Sequence, residues 1–133
     1  MGSGLQLVAV AAVVVREDRV LAMQRASTKD AGAGLWETIS GRVAPGEEPL
    51  AAARREIVEE SGLDVTVETR PIDVYVADRN GVPMTVIVYR AQWVAGDVTP
   101  SAEHDDFRWL TAAGFEELST LRRLSDAVWK AFR

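Results

Sequence analysis

Three glutamates, Glu56, Glu59 and Glu60, stand within the stretch Arg54 to Gly62 (RREIVEESG). Residues three and four apart are neighbours on a helix, so these carboxylates repel by about a few tenths of a kcal/mol per pair in water. A helix with only a structural task would gain by interleaving lysine there. Two chemistries fit the spacing. One is a solvated acidic face, partnered by Arg54 and Arg55 at i,i+4 distances. The other is a hard divalent cation seated against the face, because Mg²⁺ prefers carboxylate oxygens combined with retained waters and substrate phosphates. Spacing within the segment leaves both open.

The residues upstream select the second. Gly41, five residues, Glu47, seven residues, Arg55-Glu56-Ile57, one residue, Glu59-Glu60, one residue and Gly62-Leu63 follow one another at fixed intervals. This pattern resembles the Nudix hydrolase signature GX5EX7REUXEEXGU, with U a bulky aliphatic residue. Agreement at nine specified positions over 23 residues is far more specific than a lone glycine motif. The Gly34-Leu35-Trp36 approach and the late Glu103-His104-Asp105-Asp106 segment before Trp109 are similar to members of that family as well. One departure stands at the start of the box, where members commonly carry Pro-Gly-Gly and this chain has Ile39-Ser40-Gly41.

The resemblance implies hydrolysis of a nucleoside diphosphate linked to another group, with Mg²⁺ or Mn²⁺ as cofactor. It implies Glu56 and Glu60 as direct metal ligands, the Gly41 carbonyl as a backbone ligand, and Glu59 as a third ligand or the acceptor of a proton from the attacking water. Arg55 would orient the glutamates by ion pairing, and Glu47 would brace the loop or a metal-bound water. Members often add a glutamate from a late loop; Glu103 is the candidate, with Asp105 and Asp106 behind it. The expected reaction is water attack on phosphorus in a nucleoside triphosphate, giving monophosphate and pyrophosphate. ADP-ribose, dinucleoside polyphosphates and nucleotide sugars are alternative substrates, and a non-catalytic nucleotide-binding sensor is the alternative from another class. The cysteine-dependent isomerase branch of the fold is excluded because the chain has no cysteine.

Other side chains have two readings each. His104, the only histidine, is either a general base or an ordinary loop residue. Trp36, Tyr75 and Tyr89 either stack a base or pack the sheet, and Arg25, Arg79 and Arg90 are candidates for phosphate contacts.

The elements that must position these groups are legible in outline. Pro49 opens and Gly62 closes a helix over PLAAARREIVEES, with Leu50, Ala53, Ile57 and Val58 on one arc and the three glutamates opposite. Leu5 to Val15 reads as a buried strand followed by a turn and a second strand through Arg25. Trp36 to Ile39 reads as a short strand, and Asn80-Gly81 as a hairpin turn between two alternating runs, the first broken by Pro71. A strand at FRWL follows, then a short helix capped by Thr111 and a last helix capped by Ser119. This order predicts an α+β fold, a mixed sheet between helices, which is also the Nudix α/β/α sandwich.

The 133 residues are expected to form a single domain, 1–133. A formal charge of -5 argues against a nucleic-acid partner, which needs clustered Lys and Arg. The apolar run at the start is too short to span a bilayer, and the absence of cysteine suits a reducing, cytoplasmic location. A homodimer would use the apolar strands Leu5 to Val15 and Met84 to Trp93 as an edge or face.

Overall fold

The computed structural model describes residues 6–29 and 31–133. Its elements are β1 (Leu7–Arg16), β2 (Arg19–Arg25), β3 (Trp36–Glu37), β4 (Ile39–Arg42), α1 (Pro49–Ser61), β5 (Asp64–Val67), β6 (Asp73–Arg79), β7 (Val82–Ala95), β8 (His104–Leu110), α2 (Ala112–Leu118) and α3 (Arg122–Lys130). The mixed sheet and flanking helices expected from the sequence are present. Leu5, at the start of the expected first strand, lies outside the described residues.

One strand organises the sheet. β1 pairs in parallel with β7 from Leu7↔Met84 to Val15↔Gln92 along one edge. Its other edge is shared: Ala9–Ala12 pair with β4, and only Val15 and Arg16 pair with β2. β2 divides its own inner edge in the same way, with Val20 on β1 and Met23–Gln24 on β3, while its outer edge pairs with β8. Strands β1 and β2 therefore diverge, and the β3–β4 segment is wedged between them. That wedge carries Gly41 and Glu37 into the middle of the molecule.

Alternation along β1 builds two cores, because successive side chains point to opposite faces. Ala11, Val13 and Val15 pack with Phe115, Leu124 and Val128 under α2 and α3. Val10, Ala12 and Val14 pack with Ala52, Ala53 and Ile57 under α1. β1 and β7 are both interior strands with neighbours on either side, so neither offers a second copy a free edge.

The ends of α1 follow the sequence. Pro49 occupies the first turn, where its missing N–H costs no hydrogen bond. Gly62 takes φ 71°, and its N–H donates to the Val58 carbonyl. The buried arc differs from the expected one. Val58 is 65% exposed, whereas Ala53, Ile57, Glu60 and Ser61 face inward. The i, i+4, i+7, i+8 stripe thus runs through Glu60, and the helix turns a carboxylate toward the sheet rather than keeping all three opposite it.

Two further expectations divide. Thr111 caps α2 by accepting from the Gly114 N–H. Ser119 does not cap α3, whose first helical residue is Arg122 after Leu121; its hydroxyl instead donates to the Trp36 carbonyl at 2.7 Å and accepts from the Leu121 N–H. Pro71 separates β5 from β6, and both pair with β7.

Candidate active site

Arg55 is the hub of the acidic helix. Its Nε and Nη2 each donate to Glu47 at 2.9 Å, a two-point clamp, and its Nη1 donates to Glu56 Oε1 at 2.6 Å. A longer contact of 3.5 Å reaches Glu59, and Nη2 also donates to the Arg42 carbonyl at 3.1 Å. A planar guanidinium suits this task because its donors lie in one rigid fork. The Glu47 carboxyl is held down to about 2 by Arg55 and by the Ala44 N–H, and the Arg55 guanidinium is held even more firmly in its charged form by Glu47 and Glu56. One arginine thus ties the loop before α1, the end of β4 and two helix glutamates together.

Glu60 is placed differently. Its side chain is 4% exposed, against 57% for Glu59. Burial, then hydrogen bonding with and charge from Glu56, then the charge of Glu37, push its carboxyl well above the ordinary carboxylate range. Oxygen Oε1 has no hydrogen-bond partner among the described residues. Leaving such an atom bare costs about 1–3 kcal/mol, more for a charged group; the atom it faces is His104 Nδ1, itself without a partner among those residues, at 3.6 Å. Gly41 closes the site from the other side: any Cβ there would collide with the Glu56 carboxylate, so the glycine allows β4 to run directly against the two acids. Two adjacent carboxylates, Glu56 and Glu60, beside a close glycine backbone are donors of the kind a hard divalent cation takes, although among the described residues no three acidic or histidine side chains form a ready-made cage.

A second group of side chains lies behind Glu60. Glu37, in β3, accepts from Ser40 Oγ at 2.9 Å and from Arg25 Nη1 at 3.2 Å. His104 Nε2 lies 2.9 Å from the same Glu37 oxygen that Arg25 contacts, and His104 Nδ1 is 3.6 Å from Glu60 Oε1. His104 is buried because β8 bulges: Gln24 pairs with Asp106 but Arg25 pairs with His104, leaving Asp105 as the extra residue. Of the departures from the common box, Ser40 thus has a use, since its hydroxyl holds Glu37. Glu37 was absent from the expected site, and its only sequence signal is a carboxylate in a short strand beside Trp36.

Arg25, Glu37, Ser40 and Glu60 line a cleft of about 1030 Å³ whose floor is Ala9, Ala11, Met84 and Val86. Gly41, Arg55, Glu56, Glu59 and Glu60 form one wall, and Glu103, 53% exposed, enters from the loop before β8. Lys29 pairs with Glu103 and holds its carboxyl below the ordinary range. Arg25, Tyr75 and Arg79 also line the cleft. Trp36, Tyr89 and Arg90 do not: Trp36 and Tyr89 are buried in the two cores, and Arg90 donates to Glu68 and to the Ala131 carbonyl. Asp105 and Asp106 are exposed and accept from the N–H groups of Ser27 and Phe107.

A family model for the NUDIX domain matches residues 5–129. The chain belongs to the Nudix family. It is 36% identical over 121 residues to the putative 8-oxo-dGTP diphosphatase 2 of Mycobacterium tuberculosis (strain ATCC 25618 / H37Rv), covering 86% of this chain and 79% of that one. It is 35% identical over 115 residues to the oxidized purine nucleoside triphosphate hydrolase of Danio rerio, covering 73% and 72%. In fold it is similar to the MutT protein of Methanosarcina mazei Go1, with a TM-score of 0.87 at 22% identity over 100% of this chain and 97% of that one. This Nudix hydrolase therefore carries Gly41, Arg55, Glu56, Glu59 and Glu60 of its box along one wall of the cleft. No helix among its described residues is long and apolar enough to cross a membrane.

Proposed function

We propose that this Nudix hydrolase cleaves a nucleoside triphosphate to the monophosphate and pyrophosphate, with damaged or otherwise noncanonical nucleotides as its substrate class. The observation that carries the reading is the pairing of the buried Glu60 carboxylate with Glu56, against the glycine backbone of β4 and in the wall of the cleft. The names of the Mycobacterium tuberculosis and Danio rerio relatives support placing oxidised purine triphosphates first among the substrates to test.

Glu56 and Glu60, with Glu59 and the Gly41 carbonyl, would hold Mg²⁺ or Mn²⁺. A bound divalent cation neutralises phosphoryl oxygens and makes water more acidic. Arg55 keeps Glu56 in place and prevents the helix carboxylates from spreading apart under their own repulsion. In the reaction the water oxygen forms a new bond to phosphorus, the bond from that phosphorus to the bridging oxygen breaks, and pyrophosphate leaves with the electron pair. The water proton passes to a carboxylate on the cleft wall. Glu59 and Glu103 are the two exposed acids there, and Lys29 keeps Glu103 ionised while lowering its strength as a base. Arg25 and Arg79 supply positive charge for the phosphates, and Tyr75 an aromatic face for the base.

The test is a panel of substrates with Mg²⁺ or Mn²⁺: common and oxidised nucleoside triphosphates, CTP, ADP-ribose, diadenosine tetraphosphate and nucleotide sugars. Pyrophosphate release from triphosphates, strongest for a noncanonical one, is expected. Preferential cleavage of another class moves the substrate and keeps the reaction type. Nucleotide binding with no metal-dependent release from any member overturns the hydrolase reading in favour of a sensor.

A further inference from the structure

Glu37 raises a question that catalysis by the box does not answer, because a carboxylate buried in the wedge between β1 and β2 carries a desolvation cost of several kcal/mol unless it is well bonded. It is well bonded, and to a telling set of partners. Oε1 takes the Ser40 hydroxyl, while Oε2 is shared by Arg25 Nη1 and His104 Nε2. Arg25 is further held by its Nε donating to the Ala31 carbonyl, with its side chain lining the cleft. On the other side, the second nitrogen of His104 faces the bare oxygen of Glu60 without being close enough to bond it.

We infer that Glu37 is a positioning residue that serves both halves of the site. It fixes the Arg25 guanidinium in the cleft as an arm for a phosphate group. Through His104, whose Nδ1 stands 3.6 Å from Glu60 Oε1, it also backs the rear of Glu60 and limits how that carboxylate can turn. The inference rests on the functional reading above, in that it takes Arg25 to meet phosphate and Glu60 to meet a cation.

A residue that only closed the wedge would change stability when replaced. A residue that aims two other groups changes two binding constants together. The Glu37→Gln substitution keeps the shape and removes the charge: one oxygen becomes a donor NH2, so the side chain can no longer accept on both sides, and its bond to Arg25 loses the attraction of an ion pair. The expected result is a loss of about tenfold or more in dGMP affinity of the metal-free protein by calorimetry, together with a similar loss in Mn²⁺ affinity of the nucleotide-free protein by electron paramagnetic resonance. Arg25→Ala should lower dGMP affinity alone, and adding Glu37→Gln to it should produce no further loss of that affinity, as a double-mutant cycle requires of groups that act through one another. His104→Gln should lower Mn²⁺ affinity alone.

Wild-type values of both constants in a folded Glu37→Gln protein would overturn the inference, as would additive losses in the cycle. If Glu37→Gln does not fold, Ser40→Ala carries the test. It removes one bond to the same carboxylate: a joint weakening of both constants supports the role and unchanged constants refute it. Neither measurement needs turnover, so a wild-type protein that hydrolyses nothing on the panel would defeat the hydrolase reading while leaving the role of Glu37 decided by the two affinities.

Discussion

Glu60 meets two opposing demands. Its place on the buried arc of α1 disfavours charge, and a metal ligand must be charged. Without a cation the site is therefore a local liability, of the kind active sites commonly carry at the expense of stability. Glu60→Gln should lower kcat by about three orders of magnitude, corresponding to several kcal/mol of lost charge stabilisation. The same variant, free of metal near neutral pH, should unfold at a temperature no lower than wild type, which differential scanning calorimetry would check; a markedly lower value would mean that the carboxylate is structural. Gly41 is the complementary case, where the missing side chain matters. Gly41→Ala forces a methyl group into the Glu56 carboxylate. A displacement of that size at a reacting centre costs about 100-fold, so kcat/KM should fall by at least that factor while circular dichroism stays native.

At the scale of elements, the site depends on how α1 and the β3–β4 wedge are anchored. Gly62 ends the helix in a left-handed conformation that a side chain strains. Gly62→Ala should lower stability by about 1 kcal/mol in urea titration and leave turnover per folded molecule unchanged, since the residue touches no group of the cleft. The wedge is tied to the far side of the molecule by Ser119, whose buried hydroxyl donates to the Trp36 carbonyl. Removing it in Ser119→Ala leaves that carbonyl without its side-chain donor, at a cost of about 1–3 kcal/mol by the same titration. The bulge in β8 belongs to this scale too. A regular pairing would have continued the alternation and placed the His104 side chain on the other face, away from Glu37 and Glu60.

For the whole molecule, the acidic cluster links stability to pH and to metal. The folded, metal-free protein holds the Glu60 proton to higher pH than the unfolded chain, whose carboxylate titrates near 4.5. Above that value the folded state binds more protons than the unfolded one, so this group makes stability fall as pH rises toward its folded value. A divalent cation displaces the proton and binds only the folded site, reversing the trend. Melting temperatures recorded with and without Mg²⁺ should show a larger metal-induced increase at about pH 8 than at about pH 5.5, and Glu60→Gln should abolish most of the difference. An increase independent of pH would remove Glu60 from the ligand set.

Local chemistry determined much of this from the chain alone. The box from Gly41 to Leu63 is defined by side-chain types at fixed intervals, and the limits of α1 by Pro49 and Gly62, so both can be read without knowing the fold. The β6–β7 turn at Asn80-Gly81 and the Thr111 cap are local in the same sense. What the tertiary structure decided are relations between distant segments. Periodicity placed Val58 inward and Glu60 outward, and the docking of α1 onto β1 and β4 reversed both. Trp36, Tyr89 and Arg90 had the right chemistry for a ligand and were turned to packing, because a sheet face has no marking in sequence that separates core from cleft. Glu37 drew no notice as a lone acid after a tryptophan. It gains its meaning from His104, which lies 67 positions away along the chain and reaches it through one unpaired residue in β8.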